Sequence, residues 1–294
     1  MKFLSGFVAI IGPPNVGKST LLNRILDTKL AIVSPKPQTT RNRILGIYHG
    51  DGFQIVFMDT PGIHVSHTPL QKSMVASARA ACREVDVVLL VIEIGCPNPP
   101  EMSSIVKNLK AIKKSCILVI NKIDTKEKDR LLPIIDQSRH IYSFDAIIPV
   151  SALKGDGVEE LLDELKLTLK PGPQFFPEDM KTDQSEVALV SEIIREKVYS
   201  LTEKELPYSA AVTVSKVEEM PAENLHAIVA TVHVEKNSQK GILIGKRGRM
   251  IKTIGRAARL ELERMFGGSV FLDLRVKVDK NWSKDSRMLR RLGY

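Results

Sequence analysis

The sequence predicts an α/β domain with a mostly parallel sheet, followed by a small α+β domain. Strand-like and helix-like segments alternate through residues 5–170, a proline-rich stretch interrupts the pattern at residues 171–184, and a different order of elements follows. The 294 residues exceed the roughly 100–200 of an average domain, which favours two domains. The 43% hydrophobic and 26% charged residues are ordinary for a folded protein and exclude a disordered or collagen-like chain.

The first domain, residues 1–170, alternates apolar runs with amphipathic segments. Runs rich in β-branched residues predict strands at residues 7–11, 55–58, 87–92, 117–120 and 147–150. Apolar residues at helical spacing predict helices at residues 19–26, 68–83, 102–112 and 158–169. Strands that are apolar on both faces and separated by helices indicate a mostly parallel sheet covered by helices. Residues 43–48 predict a further, antiparallel strand beside residues 54–58, with a turn at residues 50–52.

The second domain, residues 185–294, has a different order of elements. Its predicted segments are helices at residues 185–203 and 249–266 and strands at residues 210–217, 226–234 and 270–278. In the second of these helices one apolar face is predicted to be buried, formed by Ile251, Ile254, Ala258, Leu262 and Met265. The segment before this domain, residues 171–184, predicts a linker because it is rich in proline and turn residues.

Charge and cysteine usage limit the class of protein. The net charge is +9, and residues 236–294 carry 16 Lys and Arg against 5 Asp and Glu. Such a local positive field favours a nucleic-acid partner. The three cysteines form no CxxC pair, which excludes a disulfide framework and a thiolate zinc site and fits a reducing cytosol. No run reaches the roughly 18 apolar residues that a membrane helix needs.

A glycine-rich motif follows the first predicted strand. It fits the pattern GxxxxGK[ST], precedes Thr20, and consists of Gly12, Pro13, Pro14, Asn15, Val16, Gly17, Lys18 and Ser19. Because the motif lies between a strand and a helix, its backbone N–H groups and the helix dipole are predicted to bind phosphate. In that role Lys18 contacts the β- and γ-phosphates of a nucleotide, and Ser19 ligates Mg²⁺.

Two later motifs decide between ATP and GTP. Both follow predicted strands, and they consist of Asn121, Lys122, Ile123 and Asp124 and of Ser151, Ala152 and Leu153. The Asp124 carboxylate can accept from the N1–H and the 2-amino group of guanine, whereas adenine offers neither donor. We therefore predict GTP. Asn121 would tie this loop to the phosphate motif, Lys122 would cover the base, and a backbone N–H of residues 151–153 would contact the guanine carbonyl.

Two segments near the phosphate motif predict a switch. One follows the strand at residues 55–58 and consists of Asp59, Thr60, Pro61 and Gly62. A carboxylate there can hold the hydration shell of Mg²⁺, and the Gly62 N–H can contact a γ-phosphate. Thr40 lies in a polar loop and could reach Mg²⁺ only when the γ-phosphate is present, which gives a two-state switch. The predicted catalytic set is Lys18, Ser19, Thr40, Asp59 and Gly62.

In their order along the chain, these motifs resemble those of the Era-like P-loop GTPases. The sequences GPPNVGKSTLLN, PQTTRNRI and DTPG carry the resemblance. It implies that GTP and GDP are the ligands, that Mg²⁺ is the cofactor, and that GTP is hydrolysed to GDP and phosphate. Ile63 departs from the Ras-like pattern, in which a glutamine orients the attacking water, so slow intrinsic turnover is expected. Relatives with a PNVGKS loop use K⁺ held by the loop asparagine, which implies Asn15 here.

A second motif lies in the basic part of the chain. It is a GKRG turn made of Gly245, Lys246, Arg247 and Gly248, followed by the basic residues Arg249, Lys252 and Arg256 on one helix. The glycines allow a nucleic-acid backbone to approach while Lys246 and Arg247 contact phosphates, as in the KH clamp for about four nucleotides. The order of elements resembles a type II KH domain. From the residues alone, the ligand is single-stranded RNA or DNA.

The resemblance implies more than the residues do. Era-like proteins bind small-subunit (16S) ribosomal RNA near its 3′ end, act in assembly of the 30S subunit, and can associate peripherally with the inner membrane. We therefore expect a cytoplasmic monomer with these partners. Two other functions stay open at this point: a P-loop kinase with a nucleic-acid-binding tail, and an RNA-binding assembly factor with little or no GTPase activity of its own.

Overall fold

Strands and helices alternate through the first part of the chain, as the sequence predicts. The strands are β1 (Leu4–Ile11), β2 (Ile44–Gly50), β3 (Phe53–Asp59), β4 (Val87–Glu93), β5 (Ser115–Asn121), β6 (Ala146–Pro149) and β7 (Lys170–Pro171). The helices are α1 (Lys18–Leu26), α2 (Pro69–Glu84), α3 (Met102–Ile112), α4 (Leu131–Ile141) and α5 (Val158–Thr168). The computed structural model describes residues 2–34, 36, 40–62, 69–96, 100–125 and 128–292. A first unit ends at Asp183, and a second begins at Gln184.

The strands of the first unit form one sheet in the order β2-β3-β1-β4-β5-β6, with β7 paired to β1. Neighbouring strands from β3 to β6 are parallel, whereas β2 is antiparallel to β3, as predicted. Ile10 is paired with Asp59, and Ile120 with Pro149. The carboxyl ends of β1, β3, β5 and β6 therefore lie at one edge of the sheet, where open α/β sheets bind ligands.

Helices cover both faces of this sheet. On one face Ala9 and Ile11 belong to a buried cluster with residues of α2, α3 and α4, such as Ala78, Ile105 and Ile134. On the other face Gly46 lies so close to α1 that a Cβ there would be 2.4 Å from Leu26 Cδ1. Full burial of an aliphatic side chain contributes about 1.5–3 kcal/mol, so this packing holds the strand ends in fixed positions.

Two elements of the first unit differ from the prediction. No helix is predicted between residues 124 and 147, whereas α4 lies there. Its exposed Leu132 and its Pro133 obscure the helical pattern, although Ile134 and Ser138 are buried four residues apart. The predicted burial on both faces is also wrong for residues 147–149, which are half-buried in β6, whereas Val150, just after the strand, is fully buried. Among the strands of the described residues β6 pairs with β5 alone, at the edge of the sheet.

The proline-rich segment after α5 packs against the first unit as far as Asp183. The Gln54 side chain, fully buried, accepts from the backbone N–H groups of Phe175 (2.9 Å) and Phe176 (3.1 Å) and donates to the Phe176 carbonyl (2.8 Å). Farther along, the Ile47 N–H donates to the Lys181 carbonyl (2.8 Å). Residues 171–184 are predicted as a linker, and in the structure those up to Asp183 are anchored to the first sheet.

The second unit is a three-stranded sheet packed against helices. Its elements are α6 (Glu186–Leu201), α7 (Leu206–Ser209), β8 (Ala211–Met220), β9 (Leu225–Val234), α8 (Asn237–Ile244), α9 (Arg249–Phe266), β10 (Ser269–Val278) and α10 (Ser286–Arg291). The strand order is β10-β9-β8, with β9 and β10 parallel and β8 antiparallel to β9. Among the described residues, no helix is long and apolar enough to span a bilayer.

The α9 helix buries a narrower face than the sequence predicts. Ile254, Ala258 and Leu262 are fully buried against the sheet, in agreement with their spacing. Met265, however, is 38% exposed in the last turn, and Ile251 is half-buried in the first turn. The two ends of the predicted stripe therefore lie at the border of the core, and only its middle is fully buried.

Candidate functional site

The loop between β1 and α1 has a backbone that only glycine fits at two positions. Gly12 has φ +148°, and a Cβ there would lie 2.2 Å from the Val91 carbonyl oxygen. Gly17 has φ +94°, and a Cβ there would lie 2.3 Å from the Asn121 side-chain nitrogen. Both contacts are below any real Cβ distance, so a side chain would displace the backbone at Gly12 or the Asn121 amide at Gly17, and the positive φ of both residues favours glycine. The glycines of the motif thus allow the loop to wrap tightly at the sheet edge.

Lys18, the first residue of α1, is buried beneath this loop. Its Nζ donates to the carbonyl oxygens of Pro13 (2.8 Å) and Gly12 (3.2 Å). Burial lowers the pKa of Lys18 to about 8, although Asp59 opposes this shift. The ammonium group is therefore poorly compensated in this cleft, and a phosphate group would supply the missing negative charge.

Three oxygen-bearing side chains meet beside Lys18. Ser19 Oγ donates to Asp59 Oδ2 (2.7 Å), Thr40 Oγ1 donates to the same oxygen (3.2 Å), and the two hydroxyl oxygens are 2.8 Å apart. Burial raises the pKa of Asp59 above its ordinary value, and Lys18 and the two hydroxyls offset this effect only in part. Among the described residues, nothing hydrogen-bonds the buried Asp59 Oδ1. Hard oxygen ligands and an orphaned carboxylate oxygen fit Mg²⁺.

The segment after β3 lies against the phosphate loop. Thr60 is fully buried, and its Oγ1 donates to the Ile10 carbonyl (2.8 Å), which fixes the segment to β1. A Cβ on Gly62 would lie 3.1 Å from the Pro14 backbone nitrogen, so the two loops are in close contact. Pro61, which lies between Thr60 and Gly62 in the chain, is buried. Ile63, the position at which Ras-like proteins have glutamine, lies outside the described residues.

The loops after β5 and β6 are joined to each other and to the phosphate loop. Asn121 Nδ2 donates to the Val16 carbonyl (2.8 Å), and its Oδ1 accepts from the Ala152 N–H (3.0 Å). Ser151 Oγ donates to Asp124 Oδ1 (2.7 Å). Asn121 thus ties the loops together as the sequence leads one to expect, while Ser151 orients the carboxylate of Asp124. The Ile123 N–H donates to the carbonyl of Val150 (3.3 Å), the residue that follows β6.

A cleft at this edge brings the phosphate-side residues together. It is lined by Pro14, Asn15, Gly17, Lys18, Ser19, Thr20, Ile32, Val33, Ser34, Thr40, Gly62 and Lys122. The cleft therefore combines a cationic phosphate cradle and a site for a hard cation, and Lys122 extends it toward the loop of Asp124. This arrangement suits a nucleoside triphosphate with its metal.

Sequence reasoning missed two residues that reach these loops. Arg24, on α1, donates from Nε to the Ala152 carbonyl (3.3 Å) and from Nη2 to the Leu153 carbonyl. Glu93, the last residue of β4, forms an ion pair with Lys122. Neither residue belongs to a motif with fixed spacing, because only the folded chain brings each of them next to its partner.

In the second unit, the GKRG turn projects from between α8 and α9. Gly245 (φ +71°) is tightly packed, because a Cβ there would lie 2.8 Å from Met250 Cβ. Gly248 (φ +74°) faces open space, with nothing within 4 Å of a Cβ. The side chains of Lys246 and Arg247 are exposed on this turn. The predicted turn thus presents two cations and an unobstructed backbone.

A groove beside the turn runs between α9 and β10. It has a volume of about 500 Å³ and is lined by Ile251, Lys252, Gly255, Arg256, Arg259, Val270, Phe271, Leu272 and Leu274. Phe271 is 63% exposed, which is unusual for a phenylalanine in a strand. Lys252 and Arg256 lie on the groove, whereas Arg249 is exposed next to the turn. Sequence reasoning did not single out Phe271, because one aromatic residue in a strand is usually buried.

Comparisons with known proteins find relatives of both units of the chain. Residues 7–122 match the family model described as 50S ribosome-binding GTPase, and residues 205–283 match that of the KH domain. GTPase Era of Syntrophus aciditrophicus is 54% identical over 294 residues, covering 100% of this chain and 96% of the relative. GTPase Era of Geobacter metallireducens is 50% identical over 292 residues, covering 99% and 98%.

Solved structures show the same likeness over both units. Era in complex with MgGDPNP and nucleotides 1506–1542 of 16S ribosomal RNA has a TM-score of 0.95 at 41% identity, covering 99% of each chain. A variant of Aquifex aeolicus Era bound to GDP·AlF4⁻ also has a TM-score of 0.95 at 41% identity, covering 100% of this chain and 99% of that one. With identities of this size over its whole length, the chain belongs to the family of GTPase Era.

Proposed function

We propose that this GTPase binds GTP and GDP with Mg²⁺ in the cleft of the first unit and binds 16S ribosomal RNA near its 3′ end through the second. By this route it acts in assembly of the 30S subunit. The observation that carries the proposal is the combination, in one chain, of the Lys18 cradle with the exposed GKRG turn. The Era structure with MgGDPNP and 16S nucleotides, which this chain matches over 99% of its length, supports both ligands.

In the proposed cleft each side chain has a separate task. Lys18 and the backbone N–H groups of the loop hold the β- and γ-phosphates. Ser19, Thr40 and Asp59 hold Mg²⁺, which when bound neutralises charge on the phosphate oxygens. Gly62 contacts the γ-phosphate through its N–H, so that its segment and the loop of Thr40 respond to loss of that phosphate. The expected readout of hydrolysis is therefore a change in these two segments.

In the proposed RNA site the turn supplies affinity and the groove receives bases. Lys246, Arg247 and Arg249 are exposed and can contact successive phosphates. Unstacked bases can then enter the groove between α9 and β10, where Lys252 and Arg256 lie and Phe271 offers a ring on which a base can stack. A single strand fits this arrangement better than a duplex, because only unpaired bases can be splayed into the groove.

The proposed location of the protein follows from its proposed partner. A factor that assembles ribosomal subunits acts in the cytoplasm, and we place this chain there as a monomer. Family resemblance supports peripheral association with the inner membrane. Flotation of the purified protein with vesicles of anionic and of neutral lipids tests this association.

Competition binding tests the guanine assignment. A fluorescent GDP analogue bound to the full chain with Mg²⁺ should be displaced by GDP and GTP, and not by ADP or ATP at the same concentrations. Adenine offers Asp124 no donor at N1 or C2, so its carboxylate would lack both hydrogen bonds with that base. Displacement by ADP as effective as that by GDP would contradict the nucleotide assignment.

Potassium is expected to raise the rate of GTP hydrolysis several-fold over sodium at equal ionic strength. Asn15 lines the cleft with φ +64°, and we propose that its side-chain oxygen holds K⁺ beside the phosphates. Asn15→Gly removes the side-chain amide but keeps the positive φ, so this variant should hydrolyse GTP equally fast in either salt. Phosphate release measured in both buffers decides the matter, and equal wild-type rates would remove the K⁺ site.

A further inference from the structure

Arg24 connects the phosphate-binding helix with the loop at residues 151–153. It lies on α1, the helix that begins at Lys18, and its guanidinium donates to two consecutive carbonyl oxygens, those of Ala152 and Leu153. The stem of the side chain runs near the backbone that follows this loop, since a Cβ on Gly155 would be 3.7 Å from Arg24 Cδ. A planar guanidinium can hold two acceptors in fixed directions, which a flexible ammonium cannot.

These two contacts fix the direction of backbone N–H groups as well as carbonyls. A trans peptide unit is planar, so the Ala152 carbonyl and the Leu153 N–H point in opposite directions. When Arg24 holds the carbonyl on the α1 side, the Leu153 N–H must point away from α1. The next unit is fixed in the same way, because the Leu153 carbonyl meets Arg24 while the Lys154 N–H donates to Ser151 Oγ (3.1 Å).

The same hydroxyl carries the constraint to the carboxylate that would read the base. Ser151 Oγ accepts from the Lys154 N–H and donates to Asp124 Oδ1 (2.7 Å). Thus a continuous set of hydrogen bonds runs from Arg24 through the peptide units of the loop to Asp124. Loops without regular structure are otherwise the most mobile parts of a site.

We propose that Arg24 is a positioning residue for guanine recognition, holding the loop at residues 151–153 so that the Leu153 N–H meets the guanine O6 oxygen. The inference rests on the proposed binding of guanine nucleotides in this cleft. Loss of Arg24 frees the peptide units of Ala152 and Leu153 and leaves the phosphate cradle in place. Ser151, which orients Asp124, keeps its own backbone bonds to Asp156 and Gly155. The interaction with O6 should therefore weaken selectively.

The test compares two nucleotides that differ at this atom. Arg24→Met keeps the apolar stem and removes the donors, and Arg139→Met on α4 is the matched control because Arg139 is exposed away from the cleft. Affinity is measured for GDP and for 6-thio-GDP, which keeps the N1–H and the 2-amino group and replaces O6 by sulfur, a weak acceptor. Arg24→Met should weaken GDP binding about tenfold and leave binding of the analogue within about twofold. Arg139→Met should change neither.

Equal weakening of both nucleotides in Arg24→Met would make Arg24 merely structural and would overturn the proposal, as would unchanged GDP affinity. If Arg24→Met does not fold, Arg24→Lys keeps a cation and a stem and is still expected to weaken GDP about threefold without affecting the analogue. Failure of the proposed function would look different, because the wild-type chain would then show no preference for GDP over ADP.

Discussion

Replacing Lys18 by alanine is expected to abolish detectable nucleotide binding. Lys18 is buried under the phosphate loop, and burial lowers its pKa to about 8. The positive charge of its ammonium group is therefore costly in the cleft, and the negative charge of a bound phosphate would balance it. Removing one partner of a buried ion pair, here the Lys18 ammonium that would face the nucleotide phosphates, costs about 3–5 kcal/mol. At 1.4 kcal/mol per decade this amounts to roughly two to four decades of affinity for GDP. Titration with a fluorescent GDP analogue measures the loss.

The control for this variant is Lys110→Ala, which removes an exposed lysine from α3. It carries the same change in net charge and should bind GDP like the wild type. RNA binding by the Lys18→Ala chain should stay at the wild-type level, because the second unit has its own core, built from residues of α6, α8, α9 and the three strands. An Lys18→Ala chain that retained wild-type affinity for GDP would show that the cradle does not bind the phosphates.

Local chemistry explains how much of the site could be predicted. The phosphate loop needs glycine at positions 12 and 17, because a Cβ there would lie 2.2 Å from the Val91 carbonyl oxygen and 2.3 Å from the Asn121 side-chain nitrogen. These requirements fall on a few neighbouring residues, so a short sequence motif reveals them. Asn121 is similarly constrained, since its amide must reach both Val16 and Ala152. A functional segment can be recognised from sequence when the residues that its geometry requires all lie within that segment. The fold class follows for the same reason, because buried parallel strands need continuous apolar runs.

What the sequence could not predict depends on distant contacts. Arg24 reaches residues 152 and 153 from more than 120 positions earlier in the chain, and any exposed arginine on a helix has the same local pattern. Gln54 and the segment at residues 175–176 present the same difficulty, because a buried glutamine inside a strand becomes intelligible only when its backbone partners are known. Phe271 escapes notice because a strand residue exposed at a groove looks like a core residue in sequence.

The GKRG turn leads to the second large effect. Gly248→Asp is expected to weaken binding of single-stranded RNA about a hundredfold, while GDP affinity stays at the wild-type level. The new carboxylate would stand where the RNA phosphates approach Lys246 and Arg247, and like charges in an interface cost several kcal/mol. Gly248 is a better position for this test than Gly245, since a Cβ on Gly248 meets nothing within 4 Å and the turn keeps its shape.

A matched control lies at the other end of the same helix. Gly267, after the last turn of α9, has φ +69° against +74° for Gly248, and a Cβ there also meets nothing within 4 Å. Gly267→Asp therefore carries the same charge change and the same cost of about 1–2 kcal/mol for a left-handed residue. The helix dipole favours an aspartate at the N-terminus of α9 over one at its C-terminus, so Gly248→Asp should be the more stable of the two variants. Equal RNA affinities of both variants in filter binding would show that the assignment of the turn as the RNA clamp is wrong. A loss of RNA affinity in Gly248→Asp alone cannot come from instability, because Gly248→Asp is the more stable variant, and must come from the contact with RNA.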